Sequence, residues 1–461
     1  MRHYITYLLI LSNIYFGFAQ IFDVEPIKIS GDDNKRINLV ILSEGYQTSE
    51  LSDFITDATN FTNDMFSQSP FSEYTNYFNV YAIKVDSNES GSDHPGTATD
   101  VTEPASPITS ADTYFNTSYD SFGYHRLLYS SDYATISTVL ANNFPSYDQA
   151  LILVNSDVYG GSGGTYPFAS TGVSANEIAI HELGHSLFNL KDEYYPGDAL
   201  AAEAINMTQE TSTSLVKWKN WIGINGIGIY PYGTSGTPAT WNRPHQNCKM
   251  RYLGSPFCSV CKEGMIERIH DLVSPIDSYT PVSNTVNNPG FPLDFELTLL
   301  HPTNKDLERT WTLNSTNFAN DVDAISLLEA DLNDGANTLS VVVTDNNSFL
   351  KVDNHETIHV YTVNWTINYS SLGIDDILSE ENRFKIDMFP NPASTLLNFK
   401  IESEVHSNLR INLVSLDGKK VKSAKLNAFS EINISRLNPG IYMANIYADN
   451  MLIASKKVIK N

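Results

Sequence analysis

Cysteine is nearly absent: the 461-residue chain has three. That excludes the disulfide-dense scaffolds of small secreted domains. Long apolar runs are missing too. After the first twenty residues nothing approaches the roughly 18 uninterrupted apolar residues that a spanning helix needs, so no transmembrane segment is expected in the mature chain. Basic residues are few, with 29 Lys and Arg against 53 Asp and Glu, for a net charge of −24. A field of that sign repels phosphate backbones and anionic lipid, and no nucleic-acid partner is expected. Charged residues make up 18% of the chain and hydrophobic ones 41%, which excludes a disordered chain and suffices for several cores. No repeat of solenoid length is present. What is plentiful is Tyr (25) and Phe (22), with many Asn, Ser and Thr, the composition of a β-rich exported protein.

At this length more than one domain is expected. Residues 1–20 read as a secretory signal: Arg2 and His3, an apolar run, then Gly17, Ala19 and Gln20 as a cleavage region. Residues 21–273 alternate strand-like and helix-like runs. INLVILSEGY (37–46), FNVYAIKV (78–85) and QALILVNS (149–156) predict strands, and Ser49–Phe66 and 134–144 predict helices, the pattern of α/β layers. Residues 274–373 show only short alternating runs after a Pro- and Asn-rich link and predict an Ig-like β-sandwich. An acidic linker, 374–383, leads to a last β-rich block, 384–461. Trp311 and Trp365 fall within alternating strand patterns and are expected in the core of the sandwich.

The chemistry gathers in HELGHSLFNLKDEY (181–194). On a helix, His181 and His185 stand one turn apart on one face, while Ala179, Ile180, Leu183 and Leu187 fall on the other. Two imidazoles at that spacing suit a zinc ion, and Glu182 beside them suits a general base. A zinc site that does chemistry needs a third protein ligand and one open position. Asp192 is the preferred third ligand because it follows the point where the helix can end, with Glu193 as the alternative. Gly184 leaves room for another segment to pack against the helix.

Three further stretches stand out. CKMRYLGSPFCSVC (248–261) holds all the cysteines, and in an exported chain one disulfide is expected, from Cys248 to either Cys258 or Cys261. YGGSGG (159–164) allows close backbone approach and suits either the flank of a substrate-pairing strand or, equally, a simple mobile loop. DSNESGSD (86–93) offers carboxylates to a possible calcium ion (Ca2+), although a solvated turn is the commoner meaning of such a run.

The first domain resembles the IgA peptidase family of zinc metallopeptidases. The resemblance runs from about Asn38 to His270 through LVILSEGYQTSE, PFSEYTNYFNVYAIKVDSNESG, LVNSDVYGGSGG, HELGHSLFNLKDEY and NCKMRYLGSPFCSVC, with Phe188 where the family usually has a small residue. It implies a metzincin-like α/β fold, one catalytic zinc (Zn2+) on His181, His185 and an acidic third ligand, and endopeptidase activity on a protein or peptide substrate. By likeness to metzincins, Met250 is the floor beneath the metal and Tyr252 an oxyanion stabiliser. The last block, FKIDMFPNPASTLLNFKI to ASKKVIK, resembles the C-terminal sorting domain of the type IX secretion system. That implies the type IX machinery as a partner and passage through the periplasm to the cell surface or beyond.

The expectation is therefore a multidomain chain: an α/β metzincin-like zinc peptidase domain, an Ig-like β-sandwich and a small all-β sorting domain. Glu182 would act as general base on a metal-activated water. The rivals are a surface adhesin or glycan-binding protein, and a metal-dependent amidase acting on cell-wall peptides.

Overall fold

The structure, a computed structural model, describes residues 21–370 and 384–461, apart from 196, 198, 199, 304, 305, 404–407 and 450. The expected signal segment and linker lie outside the described residues. The chain divides into two compact units, one running to Ile367 and the other beginning at Asn368.

An apolar run without alternation must be covered on both faces. INLVILSE is such a run, and it forms β2 (Ile37–Glu44), buried along its whole length, after β1 (Val24–Lys28). Its neighbours β3 (Phe78–Ile83) and β4 (Gln149–Val154) run parallel to it. Two short strands follow, β5 (Gly161–Ser162) and β6 (Phe168–Ser170). The sheet order is β1-β3-β2-β4-β6-β5, with antiparallel strands only at the two edges.

Side chains of β2 alternate between two cores. Leu39 and Ile41 pack with Phe54, Ala58, Phe61 and Met65 of α1 (Leu51–Phe66). Val40 and Leu42 pack with Ile136, Val139 and Leu140 of α2 (Tyr133–Asn143). Helices thus cover both faces of the sheet. On the α1 side lie also α3 (Ala175–Ser186) and α4 (Ser259–Leu272), through Ile180, Leu183, Met265 and Ile269. Among the described residues strands far outnumber helices, so the described protein is mainly β.

The rest of the first unit carries a five-stranded and a three-stranded sheet. Trp311 and Trp365 lie fully buried, stacked 5.9 Å apart, and Phe295 of the smaller sheet meets Trp365 at 5.0 Å. They are core residues. This β region grips α4. His270 Nε2 lies 2.9 Å from Asp345 Oδ2, Tyr74 hydroxyl also donates to Asp345, and Val352 N–H donates to Glu263 Oε1 at 2.8 Å. His355 and His359 both meet the Glu267 carboxylate. A junction of buried polar groups holds only when its members are paired, so α4 is held by the β region as well as by its apolar face.

The second unit has its own core, with Leu397, Phe399, Ile411, Ala444 and Ile446 at its centre. It is built from a three-stranded and a four-stranded antiparallel sheet.

Candidate metal centre

Helix α3 buries Ile178, Ala179, Ile180, Leu183 and Gly184 and turns His185 toward a cleft. The apolar spacing read from the sequence is the face that packs. The helix stops where Asn189 takes the left-handed conformation, φ 57°. Among residues with a side chain, Asn tolerates that conformation best. Asn189 N–H donates to His185 O at 3.0 Å and Leu190 N–H to Gly184 O at 2.9 Å. The reversal therefore falls one residue after Phe188, which packs its ring against Phe71. It also carries Asp192 back to the histidines.

Three donor atoms meet there. His185 Nε2 is 3.2 Å from His181 Nε2, and Asp192 Oδ1 is 3.1 Å from His181 Nε2 and 3.2 Å from His185 Nε2. Each imidazole is fixed from behind. His181 Nδ1 lies 3.0 Å from Lys249 O, and His185 Nδ1 lies 2.7 Å from Leu190 O. A carbonyl can only accept, so Nδ1 carries the proton in each ring and Nε2 is left as the donor atom to a cation. Zinc ligands near 2.0 Å from the ion stand about 3.3 Å from one another in a tetrahedron. The observed triangle fits that spacing, and its donor set of two imidazoles and a carboxylate suits zinc chemistry.

Glu182 lines the same cleft, of about 1160 Å³, together with His185 and Asp192. Its carboxylate occupies space that only glycine leaves open: a Cβ on Gly163 would sit 2.3 Å from Glu182 Oε2. This is what the Gly-rich run does here. The outer side of β5 is taken at Gly161 by a bridge to Leu127, so the run is not an open edge at that point. Burial pushes the Glu182 carboxyl up, against the pull of His181 and His185. Burial also works to lower His185, but Asp192 and Glu182 outweigh it and bring it up to about 9.

Beneath the helix, fully buried Met250 puts its sulfur against Gly184, 2.8 Å from where a Cβ would be. The turn carrying Met250 is tied to α3 by Glu177, which pairs with the buried Lys249 and accepts from Gly254 N–H at 2.8 Å. Tyr252 is not brought to the cluster. It is half exposed, outside the cavities that the histidines line, with the Arg251 guanidinium 4.7 Å over its ring. The tyrosine that lines both cavities is Tyr194, hydrogen-bonded to Arg126. Sequence reading passed over both. Tyr194 lay within the HELGH segment and was a fair candidate, but Arg126 sits in an irregular loop with no motif to mark it.

The alternative third ligand, Glu193, also goes elsewhere. Its Oε1 lies 3.2 Å from Cys261 Sγ, on the far side of the backbone from Asp192. The expected disulfide is not formed, since Cys248, Cys258 and Cys261 are all free and buried, with Cys248 and Cys261 sulfurs 3.6 Å apart. The reason is geometric: three sulfurs and a carboxylate surround one point, and no two sulfurs reach bonding distance. In the possible calcium loop, Asp86, Glu89 and Asp93 are engaged by Thr48 Oγ1, Asp112 N–H and Ala111 N–H respectively. They do not gather at a common point. Other convergent groups among the described residues are His94 with Asp120 and His125, and Glu267 with His355 and His359.

Residues 25–234 match the family model described as IgA Peptidase M64, and residues 387–461 match the one described as secretion system C-terminal sorting domain. The first match ends before the 248–261 segment, which the structure nonetheless places under α3. The matches point to a peptidase with a sorting domain that directs export to the cell surface or beyond. No curated protein matches the chain. Among solved structures, dimeric latent PorU from Porphyromonas gingivalis is 14% identical over 40% of this chain and 20% of its own, with a TM-score of 0.15. The fibronectin(III)-like modules of CbhA from Clostridium thermocellum are 12% identical over 40% of this chain and 91% of their own, at 0.18. Scores this low carry no structural argument.

Proposed function

We propose that this chain is an exported zinc-dependent endopeptidase with a metzincin-like catalytic domain. The observation that carries the reading is the triangle of His181 Nε2, His185 Nε2 and Asp192 Oδ1 beside Glu182 at the edge of a large cleft. When bound by these three donors, a zinc ion supplies an activated water and polarises the scissile carbonyl.

The chain's own residues supply the remainder. Lys249 O and Leu190 O hold the imidazoles in the tautomer that leaves Nε2 free. Glu182 Oε2 takes the proton of the attacking water and passes it to the leaving amide nitrogen. The Glu182 carboxyl is partly buried in the cleft wall, and that burial raises its proton affinity above that of an ordinary carboxylate, which suits a group that must both accept and donate. Arg126 and Tyr194, which line a cavity together with His181 and Glu182, meet negative charge on the carbonyl oxygen, in the role first expected of Tyr252. Met250 under Gly184 keeps the helix at a fixed height over its floor.

The test is hydrolysis of casein and of a peptide library by the full chain, with and without a chelator, beside Glu182→Gln. Chelator-sensitive cleavage that Glu182→Gln abolishes is the expected result. A protein that binds glycan and cleaves no polypeptide would instead be an adhesin, and cleavage confined to cell-wall peptides would make it an amidase.

A further inference from the structure

The reaction proposed above leaves Glu193 and all three cysteines without a role, yet they converge. We propose that Cys248, Cys258, Cys261 and Glu193 form a second, structural metal site that takes one zinc-class divalent cation. The site would be closed, with four protein ligands and no position for substrate or water.

Geometry comes first. The four ligand atoms all lie within 4.8 Å of one another, and all four residues are buried. Cys248 and Cys261 sulfurs are 3.6 Å apart, and Cys261 Sγ is 3.2 Å from Glu193 Oε1. Thiolates bound to one zinc at about 2.3 Å stand about 3.8 Å apart, whereas a disulfide requires about 2.05 Å. The spacing is that of ligands sharing an ion. The fold brings the fourth ligand, Glu193, from the loop after α3.

Electrostatics points the same way. Glu193 is fully buried, and its Oε2 has no hydrogen-bond partner among the described residues. A buried carboxylate oxygen left unpaired is costly, and a cation at the centre of the cluster removes that cost. Cys258 is the N-cap of α4 and Cys261 lies in its first turn, so the positive end of a 14-residue helix faces the sulfurs and favours thiolates. Cys258 N–H also donates to Cys248 Sγ at 3.3 Å, an interaction that favours an anionic sulfur. The thiols give up their protons to solvent as the cation enters. A single disulfide would leave one thiol and Glu193 unexplained.

Such a site would fasten both walls of the catalytic centre. Glu193 directly follows Asp192, and its N–H donates to Met250 O at 2.7 Å, two residues beyond Cys248. The proposal does not require the chain to be a peptidase.

The experiment is metal analysis of the purified full chain beside His181→Ala/His185→Ala and Cys261→Ser. The double histidine variant should keep one zinc equivalent that Cys261→Ser lacks, and X-ray absorption on that retained zinc should show sulfur ligands. Cobalt loaded into the histidine variant should give a thiolate charge-transfer band. Should Cys261→Ser fail to fold, absorption and cobalt spectra of the histidine variant decide alone. All three cysteines should alkylate after denaturation with chelator and without reductant. Two cysteines protected until reduction would reveal a disulfide and overturn the proposal, as would retained zinc bound only by nitrogen and oxygen. Loss of all zinc from the histidine variant would also overturn it while leaving the peptidase reading intact.

Discussion

The sulfur of Met250 lies 2.8 Å from the point where residue 184 would carry a Cβ, inside the turn of α3 that separates His181 from His185. Gly184 is there because the floor of the centre approaches the helix backbone. Gly184→Ala gains up to about 1 kcal/mol of helix propensity but must displace a buried thioether, a change that costs about 1–3 kcal/mol. A net loss of about 1 kcal/mol is expected by thermal or chemical denaturation, with weaker zinc retention. The loss should shrink when Met250→Ala is added, and an additive double-mutant cycle would show that the two residues do not meet.

Gly163 and Glu182 form a second close pair. Glu182→Gln should keep its zinc and lose activity by on the order of 10²–10⁴-fold. Gly163→Ala should act in the same direction by pushing the carboxylate aside, also with zinc retained. Metal content measured beside kcat separates these effects from loss of the metal. A Gly163→Ala protein with unchanged kcat would mean that Glu182 need not occupy that space.

Asp192 and Glu193 are consecutive but face different clusters. Asp192→Ala removes one of the three proposed catalytic ligands and should lower zinc affinity at that site at least about tenfold, with activity falling in parallel. Tyr252→Phe should leave kcat within about twofold, since its ring is half exposed beside Arg251. Tyr194→Phe should lower kcat by about tenfold or more with little change in KM. Steady-state kinetics on one peptide checks all three.

Glu177 holds the floor turn to α3 through Lys249, whose side chain is 2% exposed. Burial would raise the Glu177 carboxyl, but the bonds from Lys249 and the Gly254 N–H outweigh it and hold it below its ordinary value. Its contribution to stability is therefore full above the unfolded carboxyl's pKa, about 4.3, and is lost as pH falls through the lower folded value. Glu177→Gln should flatten the acid limb of the stability profile. Glu177→Ala, which strands the buried ammonium, should cost about 2–3 kcal/mol at neutral pH. Urea midpoints across pH 3–8 measure both.

Asp345 ties the β region to the layers around the six-stranded sheet, accepting from Tyr74 and meeting His270. Asp345→Ala leaves those groups buried without their partner and should cost about 3 kcal/mol. For the same reason residues 21–273 alone should melt lower than residues 21–370, with α4 as the first element to lose protection in hydrogen exchange. Equal melting temperatures would show that the grip on α4 contributes nothing.

Much of this was legible in the sequence because the signals were local. The unbroken run INLVILSE required a strand covered on both sides, and the apolar spacing of Phe54, Ala58, Phe61 and Met65 required a helix packed on one. HELGH set its two imidazoles one turn apart by helix geometry alone. Asp192 was favoured over Glu193 from where the helix could end, and the backbone turn at Asn189 brings Asp192 to the histidines.

What the chain order could not reveal was which distant groups share a point in space. Arg126 enters the cleft from an irregular stretch with no periodicity, and Tyr194 from the chain reversal after α3. Three cysteines within fourteen residues of an exported chain suggested a disulfide. The fourth group, Glu193, arrives from another loop, turned away from Asp192 by the backbone. Helix and strand periodicity are fixed by covalent geometry and solvent, so the sequence by itself determined β2, β3, β4, α1, α2, the histidine pair and the two matched domains, but not α4. Convergence depends on how those elements pack, so only the tertiary structure decided which carboxylate meets the histidines and which meets the sulfurs.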